Sequence, residues 1–281
     1  MAVFSPFMKR RVLPGFPLAL GITLAYAGVI ILLPLTALVL KAFDIGWTQY
    51  WNIITSPRTL AAFRVTFLCA AVATAFNAVY GLALAWVLAR YEFPGKRLLD
   101  ALVDVPFALP TAVAGLALAA LFARNGWFGA PLESIGITVI FTPLGIAVAM
   151  AFTSIPFVVR QVQPVLEDIA PDVEEVAVTL GASDIRIFRS VIFPAILPAY
   201  LAGCALAFSR AIGEFGAIIF IAGNLPNYSE IVALLTFIRL EEYDYPAAAA
   251  IAATLLFSAF VLLTVVNLLQ AWHLRYVGRG D

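Results

Sequence analysis

The chain has little charge: 12% of its 281 residues are Asp, Glu, Lys or Arg, whereas 63% are hydrophobic. Soluble domains contain about 25% charged residues, so this chain could not cover a surface that faces water. Its 17 basic and 17 acidic residues balance, which leaves no basic surface for nucleic acid. The composition therefore predicts an integral membrane protein with lipid as its solvent.

Histidine and cysteine are also scarce, which excludes several kinds of site. The single His273 leaves no basis for His-based catalysis, and Cys69 and Cys204 lie in apolar runs without metal-ligand spacing. No nucleophile–base set is visible, which argues against an integral membrane enzyme. A Gly-x-x-x-x-Gly-Lys-Ser/Thr phosphate loop is missing, because Gly95-Lys96 is followed by Arg97. We expect no cofactor bound by this chain.

Six long apolar runs predict an all-α membrane protein with six transmembrane helices. The first, 16–40, is too long for a signal-peptide core and long enough to cross a bilayer. The third is the weakest, because Pro106 and Pro110 interrupt it. We expect an N-terminal segment at 1–15, a transmembrane domain at 16–281 and a polar loop at about 160–194. The other predicted spans are 65–89, 105–123, 137–159, 195–222 and 247–272.

Basic residues predict the orientation of these spans. With the N-terminus inside, 11 of the 17 basic residues fall in cytoplasmic segments and five in outer ones, with Arg210 inside the fifth span. Lysine and arginine are enriched in cytoplasmic loops, so both termini are expected in the cytoplasm. The polar loop is then cytoplasmic as well.

That loop predicts a pair of short helices. Pro171 suits a first helical turn, and Glu174 and Glu175 complement the positive end of the helix dipole. Gly181 suits a left-handed cap, and Ser183 suits the N-cap of a second short helix that runs toward Pro194. Such a pair favours docking of a partner; the alternative is an amphipathic loop lying on the membrane.

The spacing of Glu175, Ala177, Gly181 and Pro194 resembles the EAA motif of ABC-importer permeases. Stretches at 109–116, 157–166, 209–224 and 239–246 resemble sulfate/thiosulfate permeases of the CysT type, although the Gly-Glu-Phe-Gly-Ala core at 213–217 is shared with molybdate/tungstate permeases. The resemblance implies a type I ABC importer fold. It also implies that the loop couples to a separate ATPase through Glu174, Glu175, Ala177, Leu180, Gly181, Ala182, Ser183 and Pro194.

The resemblance further implies an assembly in the bacterial inner membrane. Its other members would be a second permease, two ATPase subunits that bind ATP and Mg, and a periplasmic sulfate-binding protein. An ion-coupled secondary anion carrier is the alternative from another class. It would usually need intramembrane carboxylates, and only Glu214 qualifies.

Arg210 and Glu214 are four residues apart in the fifth span and share one helix face. Charged residues inside membranes are costly and usually functional, so we expect an ion pair with a structural or gating role. The alternative is direct contact with the anion path. The candidate residues for the path or gate are Ser209, Arg210, Gly213, Glu214, Phe215 and Gly216.

Three further patterns concern packing. Small residues recur every fourth position in the second span and predict close packing, within the chain or against the partner permease. They are Ala73, Asn77, Gly81, Ala85 and Ala89. Trp47, Tyr50 and Trp51 are typical of a membrane-interface belt. Residues 229–240 predict a short amphipathic helix that lies at the outer interface or dips back into the protein.

Overall fold

A computed structural model describes residues 16–277, and nearly all of this range is helical. The helices are labelled α1–α12 in chain order. Those of the first half are α1 (Phe16–Phe43), α2 (Trp47–Ile54), α3 (Pro57–Arg90), α4 (Lys96–Ala108), α5 (Thr111–Phe122) and α6 (Gly129–Ser134). Those of the second half are α7 (Pro143–Asp168), α8 (Pro171–Thr179), α9 (Asp184–Ile212), α10 (Ile218–Ile221), α11 (Val232–Glu241) and α12 (Tyr245–Val277). The predicted segment 1–15 lies outside the described residues.

Five helices are long and apolar enough to cross a membrane: α1, α3, α7, α9 and α12. The third predicted span is instead a broken pair, because the chain bends by 114° between α4 and α5. The break falls at Leu109, whose backbone is extended (φ −79°, ψ 135°), because a residue that precedes proline is pushed out of the helical region. Residues 16–277 therefore contain five candidate spans, or six when this bent pair is counted as one.

Several predicted boundaries were wrong for a common reason. Helix α3 begins at Pro57 instead of 65, α4 at Lys96 instead of 105, and α9 at Asp184 instead of 195. Helix α7 runs over Pro143–Asp168 instead of 137–159, so Arg160 lies within a helix and not in a loop. Hydropathy marks the lipid core, whereas helical hydrogen bonding continues through polar turns beyond it.

The core of the bundle is α3, α7 and α9. Helices α3 and α7 run parallel, since Cys69 Sγ donates to the Pro143 carbonyl at 3.3 Å and, further along both helices, Asn77 Nδ2 donates to the Ala151 carbonyl at 3.0 Å. Gly81 lets Val158 approach closely: a Cβ at this glycine would lie 3.0 Å from Val158. The small-residue stripe therefore packs within the chain, and its alternative assignment to the partner interface was wrong.

The directions of the long helices show which of their ends lie on the same side of the bundle as the polar helix α8. Helix α1 packs antiparallel to α12, with Ala42 near the end of α1 beside Ala249 and Ala253 near the start of α12. Helix α9 runs antiparallel to α3, because Phe208 packs against Phe67 and Phe188 against Trp86, and it is therefore antiparallel to α7 as well. The start of α12 lies with the start of α3, because Ile251 and Ala62 belong to one buried cluster. The ends of α3, α7 and α12 therefore lie together with α8, at what we call the α8 end of the bundle.

The opposite end carries α2 and α11. Helix α11 dips into the protein, since Val232, Leu234 and Leu235 are buried. Arg58 on α3 makes a two-bond fork to Glu230 just before α11, with distances of 2.8 and 2.6 Å, and the Glu230 side chain is 1% exposed. This ion pair fixes the segment before α11 to the start of α3.

Candidate functional site

The polar segment between α7 and α9 forms one short helix, not two. Pro171 stands at the start of α8 with Asp172 and Glu174 in its first turn, as predicted. Gly181 adopts a left-handed backbone (φ 78°), as predicted. The Gly181 N–H donates to the Val178 carbonyl at 2.9 Å and the Ala182 N–H to the Ala177 carbonyl at 3.0 Å, which is the Schellman pattern of a helix end.

The second predicted short helix is instead the first part of α9. This helix runs from Asp184 through a π-helical turn at Phe188–Ile192 and on to Ile212. Ser183 occupies the N-cap with extended backbone, but its hydroxyl makes no capping hydrogen bond. The π turn comes directly before Phe193-Pro194, where the helix lacks one hydrogen bond because proline has no N–H. Since the helix continues through this point to Ile212, Pro194 lies inside the span and does not end a loop helix.

One side of α8 is attached to the bundle. Glu174 Oε1 lies 2.5 Å from Arg90 Nη2 at the end of α3, close enough for an ion pair although its angles fall outside hydrogen-bond geometry. The Arg90 guanidinium lies 5.8 Å from the centre of the Trp86 ring, and Trp86 packs edge-on against Phe188 at 5.5 Å. Glu174 thus points toward α3 and holds α8 in place, whereas the sequence prediction gave it a role at the partner surface.

The other side of α8 is open. Glu175, Gly181 and Ser183 are exposed, while Ala177 and Ala182 are half-buried against the bundle. Large apolar side chains project beside the acidic ones: Leu180 is 82% exposed, Ile185 72% and Val176 57%. We call Glu175, Val176, Leu180 and Ile185 the α8 surface. It combines apolar area with negative charge at the end of a membrane bundle, which is suited to contact with a protein partner.

The predicted ion pair of Arg210 and Glu214 forms. Arg210 Nη1 lies 2.5 Å from Glu214 Oε2, with the carboxylate side chain 1% exposed and the arginine side chain 31% exposed. Helix α9 ends at Ile212 with Gly213 as its C-cap, and Glu214 Oε1 accepts a hydrogen bond from the Ala217 N–H at 2.9 Å. The carboxylate therefore holds both the arginine and the turn that follows α9.

The other candidates for the path or gate surround this turn. The Ser209 hydroxyl donates to the Ala205 carbonyl at 2.8 Å, and Phe215 packs against Phe237 with ring centres 5.4 Å apart. Gly216 and Gly115 permit close contact between this turn and α5. A Cβ on Gly216 would lie 2.2 Å from Thr111 Oγ1, and one on Gly115 would lie 2.2 Å from the Ala217 carbonyl oxygen.

Besides the Arg90–Glu174 pair, sequence reasoning missed two ion-pair clusters that join distant parts of the chain. One is the Arg58–Glu230 fork. The other joins Arg160 on α7 to Asp100 and Asp104 on α4. Asp100 and Asp104 are four residues apart and share a helix face, so the sequence could have predicted that these two carboxylates lie together. Nothing local connects them to an arginine that is 56 residues further along.

Comparison with known proteins supports a single family. Residues 81–279 match the family described as binding-protein-dependent transport system inner membrane component. The chain is 56% identical over 263 residues to the sulfate transport system permease protein CysT of Salmonella typhimurium, covering 94% of this chain and 95% of that protein. The protein of the same name from Escherichia coli gives the same values. The one from Synechocystis sp. is 47% identical over 255 residues, covering 91% and 89%.

Solved structures agree on the fold. A bacterial ABC transporter that imports the acidic polysaccharide alginate matches with a TM-score of 0.73 at 15% identity, covering 91% of this chain and 94% of that chain. The alginate ABC transporter in complex with a pentasaccharide-bound periplasmic protein matches with a TM-score of 0.74 at 16% identity, covering 89% and 92%. This chain therefore belongs to the family of binding-protein-dependent transport system inner membrane components, as a membrane permease subunit of the CysT type.

Proposed function

We propose that this permease translocates sulfate or thiosulfate across the bacterial inner membrane as part of an ATP-driven importer. The observation that carries the proposal is the α8 surface, an exposed acidic and apolar patch on a helix whose other side is attached to the bundle. The substrate is supported by the names of the relatives, which are sulfate permeases at up to 56% identity.

The α8 surface gives this chain its part in energy coupling. ATP and Mg would be bound by separate ATPase subunits, since the sequence has no phosphate loop of its own. Two such subunits, one under this chain and one under a second permease, would dock on the α8 surface and its counterpart. Glu175, Leu180 and Gly181 would make the contact, and Glu174 would support it from behind. This arrangement puts the α8 end and both termini in the cytoplasm, in line with the bias of basic residues.

A periplasmic binding protein would deliver the anion at the opposite end. Sulfate is a strongly hydrated dianion, and a binding protein can hold it with oriented N–H and hydroxyl donors. The permease then needs only a gated wet path, and we place the gate at Ser209–Gly216. There the Arg210–Glu214 pair joins the end of α9 to the turn that contacts α5. A charge-balanced pair at this point holds the turn without leaving a trap for the dianion.

The test is reconstitution of the permease pair, the ATPase subunits and the binding protein in proteoliposomes. We expect sulfate or thiosulfate to stimulate ATP hydrolysis and to accumulate only when ATP is present. Stimulation by molybdate alone would assign the other oxyanion class. Uptake driven by an ion gradient without ATP would replace the importer with a secondary carrier. The apo binding protein serves as the control, since it reports hydrolysis that does not depend on substrate.

A further inference from the structure

Arg160 on α7 uses every N–H of its guanidinium group in hydrogen bonds. Nε donates to Asp104 Oδ1 at 2.8 Å and Nη2 to Asp104 Oδ2 at 2.7 Å. Nη1 donates to Asp100 Oδ1 at 2.6 Å, and Nη2 to the Asp100 carbonyl at 2.8 Å. Nη1 also donates to Gln163 Oε1 at 2.8 Å. An arginine has five such donors, so none is left for a substrate, and the group acts by holding α4 against α7.

The contact around this cluster is apolar and well packed. Val103 on α4 is buried in the same cluster as Val159, Val162 and Leu166 on α7. The Phe107 ring of α4 meets the Phe157 ring of α7 edge-on at 5.1 Å. Apolar contact is non-directional, whereas a planar guanidinium fork fixes both the distance and the relative orientation of the groups that it joins. The polar cluster therefore determines how α4 sits on α7.

This joint lies between two functional elements. At one end, α7 stops at Asp168, and only Ile169 and Ala170 separate it from α8. At the other end, α4 passes through Leu109-Pro110 into α5, whose Gly115 backbone touches the turn after α9. No long loop interrupts either connection. The α8 surface and the proposed gate are thus joined through α7, the Arg160 cluster, α4 and α5.

We propose that Arg160 is a positioning residue that makes α4 follow the end of α7 when α8 is displaced. The inference rests on the proposed function, in which the ATPase subunits displace α8. Movement of α8 pulls on the end of α7, the fork carries α4 with it, and the bend at Leu109-Pro110 turns this into a shift of α5 against Gly216. Energetic coupling between distant sites is carried by such contiguous packed and hydrogen-bonded elements.

The experiment measures two rates in the complete complex in proteoliposomes, with binding protein and sulfate: ATP hydrolysis and sulfate uptake. The Arg160→Lys variant keeps the positive charge but loses the fork. We expect assembly and stimulated hydrolysis near wild type, while sulfate imported per ATP falls about tenfold, within the range by which mutations in such networks change coupling. The matched control is Arg97→Lys on α4, since the Arg97 side chain is exposed and makes no hydrogen bond or ion pair with any side chain that the structure describes. It should leave the ratio unchanged.

A covalent tether separates positioning from general stability. Asp104→Cys and Arg160→Cys are combined in a parent with Cys69→Ser and Cys204→Ala, and a bis-maleimide reagent then links α4 to α7. We expect the untethered variant to hydrolyse ATP with little import, and the tether to restore the import ratio. The parent treated with the same reagent is the control. If Arg160→Lys fails to assemble, the tethered variant still tests whether holding α4 against α7 is what sustains import.

Two outcomes overturn the inference while leaving the proposed function intact. One is a wild-type ratio of import to hydrolysis in Arg160→Lys. The other is a proportional loss of both rates that the tether does not reverse, which would make the cluster a stability element only. Failure of the wild-type complex to import sulfate would instead refute the proposed function.

Discussion

Replacing Arg210 is expected to destabilise the permease far more than replacing its partner Glu214, because only the carboxylate is enclosed. The Glu214 side chain is 1% exposed and the Arg210 side chain 31%. Arg210→Gln leaves a buried carboxylate with one hydrogen bond, from the Ala217 N–H. Removing one partner of a buried ion pair costs about 3–5 kcal/mol.

Glu214→Gln should cost less, about 1.5–3 kcal/mol, if the lost ion-pair contact with Arg210 is worth as much as one hydrogen bond to a charged group. The glutamine oxygen can still accept the Ala217 N–H, and the long Arg210 side chain can turn its charge toward water. The double substitution removes the buried charge altogether. Its cost should be close to that of Glu214→Gln alone, so the favourable interaction term in the cycle should equal the cost of Arg210→Gln, about 3–5 kcal/mol.

The assay is thermal unfolding of the purified complex, together with sulfate uptake by each variant. The control is Arg239→Gln: Arg239 has the same 31% side-chain exposure, but its partner Glu242 is 47% exposed and its loss should cost under about 1 kcal/mol. Additive costs in the cycle would contradict the structural pair. If Glu214→Gln is harmless and Arg210→Gln abolishes uptake in an intact complex, Arg210 belongs to the anion path.

Three further predictions concern the end of α8, the contact between α5 and the turn after α9, and the membrane topology. Gly181→Pro removes the N–H that closes α8 and forbids its φ of 78°, so stimulated hydrolysis and uptake should fall while the permease pair still inserts; normal coupled transport would contradict the docking role. Gly115→Val should prevent assembly because a Cβ there lies 2.2 Å from the Ala217 oxygen, whereas Gly21→Ala, with nothing within 4 Å, should be neutral when folded complex is quantified by size-exclusion chromatography. In sealed cells an impermeant thiol reagent should label Asn227→Cys and spare Glu175→Cys, and the opposite pattern would reverse the topology.

The choice of a position for thiol labelling shows that the sequence alone could not predict which loop residues are exposed. Position 230 is predicted to be in an outer loop and so to be suitable for labelling, yet the Glu230 side chain is 1% exposed and paired with Arg58. The residues involved are 172 apart in the chain. Local hydropathy and charge predict the side of the membrane on which a residue lies, but they contain no information on which distant side chain covers it. Asn227, which is exposed, is the better position.

Local sequence determined the elements whose cause is local. Length and apolarity of the runs set the number of spans, because every backbone group inside a bilayer must bond within its own helix. Pro171 and Gly181 set the limits of α8 through fixed backbone preferences, and the four-residue spacing of Arg210 and Glu214 sufficed for their pairing.

Tertiary structure decided the features that depend on a neighbour. Pro106 and Pro110 both weaken the third span, but only Pro110 breaks it: Pro106 stays within α4 and is buried, while α5 turns away and packs on the segment after α9. Glu174 and Glu175 look alike in sequence, yet Arg90 turns the first inward and leaves the second exposed. The Arg160 cluster likewise exists only because folding brings α4 across α7. Backbone preference and hydropathy are properties of the local chain, whereas the burial of a charge depends on which other helix lies beside it.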